Sequence, residues 1–273
     1  MKLGAERVED VPIRELSSLA LLPSATGPPL LLAVGDRTAE LGRARLTDGP
    51  LRWGLVDLAA SGPRLGPGQL EGLAAAGGIV LALSESPPVV HLVDLADLAA
   101  GRPAGPPVAL PPTVGRRGSG GEGLLPLRGG RLLVAREKDP PELVLCGPPG
   151  AAAEPLTPAA VLDPHDPLPP LARRLEALAS WRLRGVEDVS DLATAGGRLY
   201  VLSDQSSRVG VVELPLDPDD DRAHLAERWD LSVPEREGEP DGKPEGLVVT
   251  DGGELIVGLD SRTPTANLCW YRP

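Results

Sequence analysis

Short apolar runs, many of them alternating with polar residues, recur along this chain and are punctuated by Gly-Gly, Pro and Asp. Five of them share one phrase. A short-polar or acidic residue, a small residue and Leu come first. About eleven residues later an apolar run ends on Asp or Glu. The copies are Ser17-Ser18-Leu19 with LLLAVGD ending at Asp36, and Glu71-Gly72-Leu73 with IVLALSE ending at Glu85. They continue with Glu122-Gly123-Leu124 and RLLVARE ending at Glu137, then Ser190-Asp191-Leu192 and RLYVLSD ending at Asp204. The last is Glu245-Gly246-Leu247 with ELIVGLD ending at Asp260. Runs of this length, bounded by turn residues, read as strands. A repeat with a period of roughly 40 to 50 residues reads as a propeller or solenoid.

Within each copy the first phrase predicts an innermost strand A and the second a strand B. Gly77-Gly78, Gly129-Gly130, Gly196-Gly197 and Gly252-Gly253 are hairpin signals between them. Third strands follow as VVHLVDL, ELVLC, RVGVVEL and NLCWY. Outer strands include PPVALPP, where Pro is tolerated at an edge. Trp53, Trp181 and Trp229 each stand two residues before a Leu, as expected of outer strands packed between blades. The count predicts an all-β, five-bladed β-propeller spanning residues 1–273 as one domain. Its fifth copy ends after a third strand. The unassigned segment Glu6–Val11 is therefore expected to pair with NLCWY and close the ring, removing the exposed edges. A sixth blade has room only in residues 147–183, which read as an insertion. There Leu171, Leu175 and Leu178 recur at helical spacing in LARRLEALA and predict a short helix after the loop DPHDPLPP.

Three further stretches read as irregular. GRRGSGGEG lacks a following helix and is a linker; Ser119 within it is not in a nucleophile elbow. LDPDDDR and VPEREGEPDGK read as solvated acidic loops, without the spacing of a calcium-binding loop.

With 33 Gly, 32 Pro and no Phe, Gly and Pro make up almost a quarter of the 273 residues, while 41% of the chain is hydrophobic. That combination fits a turn-rich β fold. The net charge of −12 disfavours nucleic acid and anionic membranes and suits cations. The N-terminus shows no apolar leader and no run is long enough to span a membrane, so a cytoplasmic, monomeric protein is expected. Cys146 and Cys269 read as buried reduced thiols. His91, His165 and His224 lack metal-ligand spacing.

Strand A runs from one face of the disc to the other and strand B returns. The residues opening A (Ser17, Glu71, Glu122, Ser190, Glu245) and closing B (Asp36, Glu85, Glu137, Asp204, Asp260) should therefore meet at one channel mouth. Crowded carboxylates raise each other's pKa unless cations compensate. Arg37, Arg136, Lys138, Lys243 and Arg262 stand beside them. Three uses compete: a hard cation, calcium first; Arg–carboxylate pairing as structure; and recognition of a cationic or hydroxyl-rich ligand. The metal set is Glu71, Glu122, Glu137, Glu245 and Asp260. The ligand-binding set is Ser17, Asp36, Arg37, Glu85, Arg136, Ser190, Asp204 and Arg262.

Glu-Gly-Leu followed by Gly-Gly-x-Leu-x-Val-x-x-Glu/Asp resembles the blades of bacterial propellers of the SdiA-regulated and esterase-like phytase type, many of them uncharacterised. VSDLATAGGRLYVLSDQSSRVGVVEL and PEGLVVTDGGELIVGLDSRTP carry the resemblance, which implies a propeller. Calcium-dependent lactonases of the gluconolactonase type also begin blades with Glu-Gly. Their metal site uses an Asn from an Asn-Gly-Leu blade, where this chain has Ser17 or Ser190; its one Asn is Asn267. The expected function is a ligand-binding or scaffold propeller with an acidic mouth for calcium, its partner a small molecule or protein. The alternative is a metal-dependent hydrolase of a phosphoester, ester or lactone. In that reading Glu71, Glu122 or Glu245 is the base on a metal-bound water.

Overall fold

The structure is a computed structural model and describes residues 1–24, 27–58, 70–95, 102–115, 120–234 and 242–273. The chain opens with two short strands, β1 (Lys2–Gly4) and β2 (Arg7–Glu9). Blade 1 follows as β3 (Leu16–Leu22), β4 (Leu30–Gly35), β5 (Glu40–Arg45) and β6 (Gly54–Asp57). Blade 2 is β7 (Leu70–Ala76), β8 (Ile79–Ser84) and β9 (Val89–Asp94), edged by β10 (Arg102–Pro103) and β11 (Val108–Ala109). Blade 3 is β12 (Gly121–Leu127), β13 (Arg131–Arg136), β14 (Glu142–Gly147) and β15 (Glu176–Leu183). Blade 4 holds β16 (Asp191–Ala195), β17 (Arg198–Ser203) and β18 (Arg208–Val212). After β19 (Arg222–Ala223), which pairs parallel with β15 of blade 3, it is completed by β20 (Leu225–Ser232). Blade 5 is β21 (Lys243–Val249), β22 (Leu255–Asp260) and β23 (Leu268–Tyr271). The five sheets form a five-bladed β-propeller.

The alternation of each strand feeds two different cores, because successive side chains leave opposite faces of a sheet. On β13, Leu132 and Val134 pack toward blade 2, whereas Leu133 and Ala135 pack toward blade 4. Five such cores, one per seam, hold the ring together. The A–B hairpins of blades 2, 3 and 4 turn on paired glycines at positive φ, whereas in blade 5 only Gly253 of its pair does so. Gly77 and Gly78 have φ of 55° and 86°, and Gly129 and Gly130 have 74° and 71°. Two consecutive residues at positive φ match the twist of the flanking strands and favour Gly at both places.

The ring closes as expected, with one addition. β2 pairs antiparallel with β23, Arg7 opposite Trp270 and Glu9 opposite Leu268. Its Arg7 guanidinium also lies 4.4 Å from the Trp270 ring centroid. Unforeseen in the sequence, β1 pairs parallel with β20, Lys2 opposite Asp230. The N-terminus thus fastens blades 4 and 5 together. Trp181 is fully buried on β15 and its Nε1 donates to Asp217 O at 2.6 Å. Trp229 lies on β20, and Trp53 immediately precedes β6.

The expected helix in LARRLEALA does not form. Glu176–Leu183 is instead the strand β15, with Ala177 and Ala179 opposite Cys146 and Leu145. Without it, β14 would present an unpaired edge, and tertiary pairing overrides the local leucine spacing. Residues 147–183 therefore end in the outer strand of blade 3 and are an insertion only up to residue 175. The rest of that segment crosses one face of the ring, with a single 3-10 turn at Pro158–Ala160. In LDPDDDR, Asp217, Asp219, Asp220 and Asp221 are exposed in a loop, as expected, but Leu216 is buried in the core and Arg222 belongs to β19. Ser119, and residues 235–241 of the second acidic stretch, lie outside the described residues. Cys146 and Cys269 are buried, and burial pushes the Cys146 thiol up to about 12.

Candidate functional site: an acidic channel mouth

The residue that opens each phrase sits at a break in the strand ladder. The A–B pairing skips between Leu70 and Gly72, between Gly121 and Gly123, and between Pro244 and Gly246. The skipped residues are Glu71, Glu122 and Glu245; Ser17 is skipped in the same way between Leu16 and Ser18. A bulge leaves one residue outside the regular pairing and re-aims its side chain. Here it frees a glutamate at the start of strand A in three blades.

These glutamates meet the acids that close strand B. Glu71 feels the charges of Asp36, Glu85, Glu137 and Asp260. Glu122 feels those of Glu71, Glu137, Glu245 and Glu85. Glu245 feels Asp260, Asp204 and Glu71, with Lys243 opposing them. All eight predicted carboxylates therefore share one mouth, each partly exposed. Burial, followed by these neighbours, pushes Glu71 up to about 7 and Glu245 to about 9. Glu122 is pushed well above the carboxylate range by the same causes. Burial and Glu15 lift Asp36 to about 6, and burial first of all raises Asp204 and Asp260.

Few cations answer them. Lys243 Nζ lies 3.5 Å from Asp204 Oδ2, and Lys138 Nζ lies 2.6 Å from Glu137 Oε1. Arg37 Nε is 2.5 Å from Glu15 Oε2 and 3.6 Å from Asp36 Oδ1. Arg262 is exposed and favours the charged form of Asp260.

Three of the predicted residues are engaged in structural contacts. Ser17 Oγ donates to Leu70 O at 2.5 Å and Ser190 Oγ to Pro244 O at 2.9 Å. Each carbonyl belongs to the residue just before Glu71 or Glu245 in the next blade, so these hydroxyls stitch seams. Arg136 is buried, with Glu142 Oε2 at 2.7 Å and Pro140 O at 3.3 Å as its partners.

Sequence reasoning missed Glu15, Asp188 and Asp191. Glu15 adopts φ of 48°; its N–H donates to Ser261 O and its carbonyl accepts from Asp36 N. Its carboxylate is the neighbouring group that most raises Asp36. Buried Asp188 accepts from Ser203 Oγ and, at 3.2 Å, from Gln205 N, holding the turn that carries Asp204. Asp191 is fully buried on the channel axis, and its carboxylate accepts the N–H groups of Leu247 at 2.7 Å and Leu192 at 2.8 Å. One signal for it was available: Asp191 is the only acid where other copies carry Gly or Ser.

Among the described residues, no three His, Cys, Asp or Glu side chains are grouped closely enough to hold a metal ion directly. The ring is a diffuse field of oxygens in which burial and mutual repulsion raise Glu71, Glu122 and Glu245 above the ordinary carboxylate range.

No protein-family model matches the chain, and no curated protein matches it. The resemblance of its blades to the SdiA-regulated and phytase-type propellers is thus not accompanied by any family match. Among solved structures, it is similar to the glutaminyl cyclase of Myxococcus xanthus, at 16% identity and a TM-score of 0.56. That match covers 99% of this chain and 97% of the cyclase. A PQQ-bound aldose sugar dehydrogenase from Streptomyces coelicolor matches at 15% identity and a TM-score of 0.49, over 99% of this chain and 97% of its own. A putative glucose dehydrogenase from Thermus thermophilus matches at 16% and 0.46, over 97% and 99%. At such identities only architecture is shared, and the likeness shows a β-propeller fold alone.

Proposed function

We propose that this propeller is a binding protein whose acidic channel mouth takes a cationic ligand, with calcium the first metal ion to test. The observation that carries this reading is the mutual crowding of eight carboxylates, supplied by all five blades, against a handful of cations. An entering cation would replace protons held by Glu71, Glu122 and Glu245. Binding should therefore release protons and tighten as pH rises. No observation favours the hydrolase alternative, and kinship in fold does not transfer an activity.

Thermal melts with calcium chloride and with EDTA, at pH 6 and pH 8, test the proposal. A ligand at 100 times its Kd stabilises the folded state by about 2.7 kcal/mol. The calcium shift should be larger at pH 8 and should vanish in a Glu122→Gln, Glu245→Gln double variant. An organic diamine run alongside calcium separates a metal from a cationic organic ligand. No shift with either cation at either pH would overturn the proposal.

A further inference from the structure

The channel end opposite the acidic mouth is open, and most side chains lining it are apolar, with polar and charged groups among them. The central strands finish there, and with their hairpin turns they line a cup of roughly 890 Å3. Every blade contributes to the lining, through Leu21, Ala75, Leu125, Ala193 and Val249. The floor is closed. Leu19, Leu192 and Leu247 line it, and their backbone N–H groups are all taken by the Asp191 carboxylate.

One wall is raised by the segment between β14 and β15, which is fastened to the turns beneath it. Arg128 N donates to Ala160 O at 2.9 Å, Leu162 N to Pro126 O at 3.3 Å, and Gly77 N to Pro164 O at 3.0 Å. A Cβ on Gly77 would lie 2.7 Å from Pro167 Cα, so the hairpin of blade 2 is shaped to receive this wall. Arg128 and Asp163 at the rim have partners of their own, while the exposed Asp251 stands at the hairpin turn of blade 5. Arg128 donates to Asp166 Oδ2 at 2.8 Å and to Ala159 O at 3.2 Å, and Asp163 Oδ1 accepts from His165 N at 2.9 Å.

Water needs two to four polar partners to be held in such a space, and this floor offers hydrocarbon. The volume lies within the ~300–1,000 Å3 range of small-molecule sites. We infer that the cup is a second binding site, separate from the acidic mouth, for an uncharged and largely hydrocarbon small molecule.

Titration of the folded protein with N-phenyl-1-naphthylamine, an uncharged fluorescent probe, tests this inference. Saturable binding of one probe per chain is expected. Ala159→Trp adds bulk at an exposed position of the cup, and Leu21→Lys adds charge to its lining. Each should weaken binding at least tenfold, while Glu245→Gln at the far mouth leaves it unchanged. If Leu21→Lys fails to fold, the exposed Ala159→Trp decides alone. The anionic probe 1-anilinonaphthalene-8-sulfonate should bind at least tenfold more weakly than the neutral one. Unsaturable binding, binding that Ala159→Trp leaves intact, or equal affinity for both probes overturns the inference.

Discussion

Ser18 Oγ lies 3.1 Å from Asp191 Oδ2, so a hydroxyl of blade 1 and a carboxylate of blade 4 meet across the centre of the ring. The same hydroxyl accepts from Leu73 N of blade 2 at 2.9 Å, which leaves its proton for Asp191. Leu247 N of blade 5 donates to that carboxylate at 2.7 Å. Four blades are thus joined through two side chains. Blade 3 joins by contact, because Gly123 packs against the Leu192 backbone. Burial pushes the Asp191 carboxyl well above its ordinary range, against the pull of four donated hydrogen bonds.

Asp191→Ala should strip a buried acceptor from three backbone N–H groups and one hydroxyl. Each buried group left unpaired costs roughly 1–3 kcal/mol, so a loss of about 3–5 kcal/mol is expected in urea unfolding. Asp191→Asn keeps the shape and one acceptor oxygen and should lose less than half of that. An Ala variant as stable as the parent would refute the central junction.

Gly123→Ala tests the contact that brings in blade 3. An added Cβ would sit 2.7 Å from both Leu192 N and Leu192 Cγ. The backbone neighbour cannot swing away, so overpacking of roughly 1–3 kcal/mol should appear as a lower urea midpoint at unchanged slope. Gly78→Ala is a useful contrast. Its added Cβ meets nothing within 4 Å, so any loss there reflects only its φ of 86°.

Stability should fall as pH rises from about 5 to 9. Glu71 and Glu245 titrate near 7 and 9 in the folded protein, against an ordinary value of 4.5. The folded state therefore holds more protons than the unfolded state in that window, and each proton lost on raising pH weakens it. Differential scanning calorimetry should give a lower Tm at pH 9 than at pH 6. Glu245→Gln should flatten the slope and raise Tm at pH 8, by roughly 2–4 °C for each kcal/mol of repulsion removed. A Tm that climbs between pH 6 and pH 9 in the absence of added cations would contradict this.

Closure by the N-terminus rests on Asn267 as well as on β2. Its Oδ1 accepts from Val11 N at 2.7 Å, and its Nδ2 donates to Val11 O at 3.2 Å and Ile13 O at 3.1 Å. Deleting residues 1–11 should expose the edges of β20 and β23 and lead to aggregation, visible by light scattering. Asn267→Ala leaves the strands in place but frees three buried polar groups. It should cost about 2–4 kcal/mol in chemical unfolding.

Much of this molecule is written locally. Alternating runs, Gly-Gly turns and a repeated phrase determine five blades, because a strand's period of two and a turn's need for positive φ are properties of a few neighbouring residues. The same repeat places eight carboxylates at equivalent positions, and the missing outer strand of the fifth copy points to the N-terminus as its closure. What the fold alone decided depends on distant partners. Leu175 and Leu178 have helical spacing, yet the edge of β14 draws Glu176–Leu183 into a strand. Ser17 and Ser190 occupy the glutamate position of the repeat, but carbonyls of the next blade claim their hydroxyls. Arg136 stands beside Glu137 in sequence, and Glu142 takes its charge. Asp191 looked like one more variant of a small residue. Only the convergence of five strands on one axis gives it the N–H groups of three strands, since hydrogen bonds across the ring join residues as far as 173 positions apart.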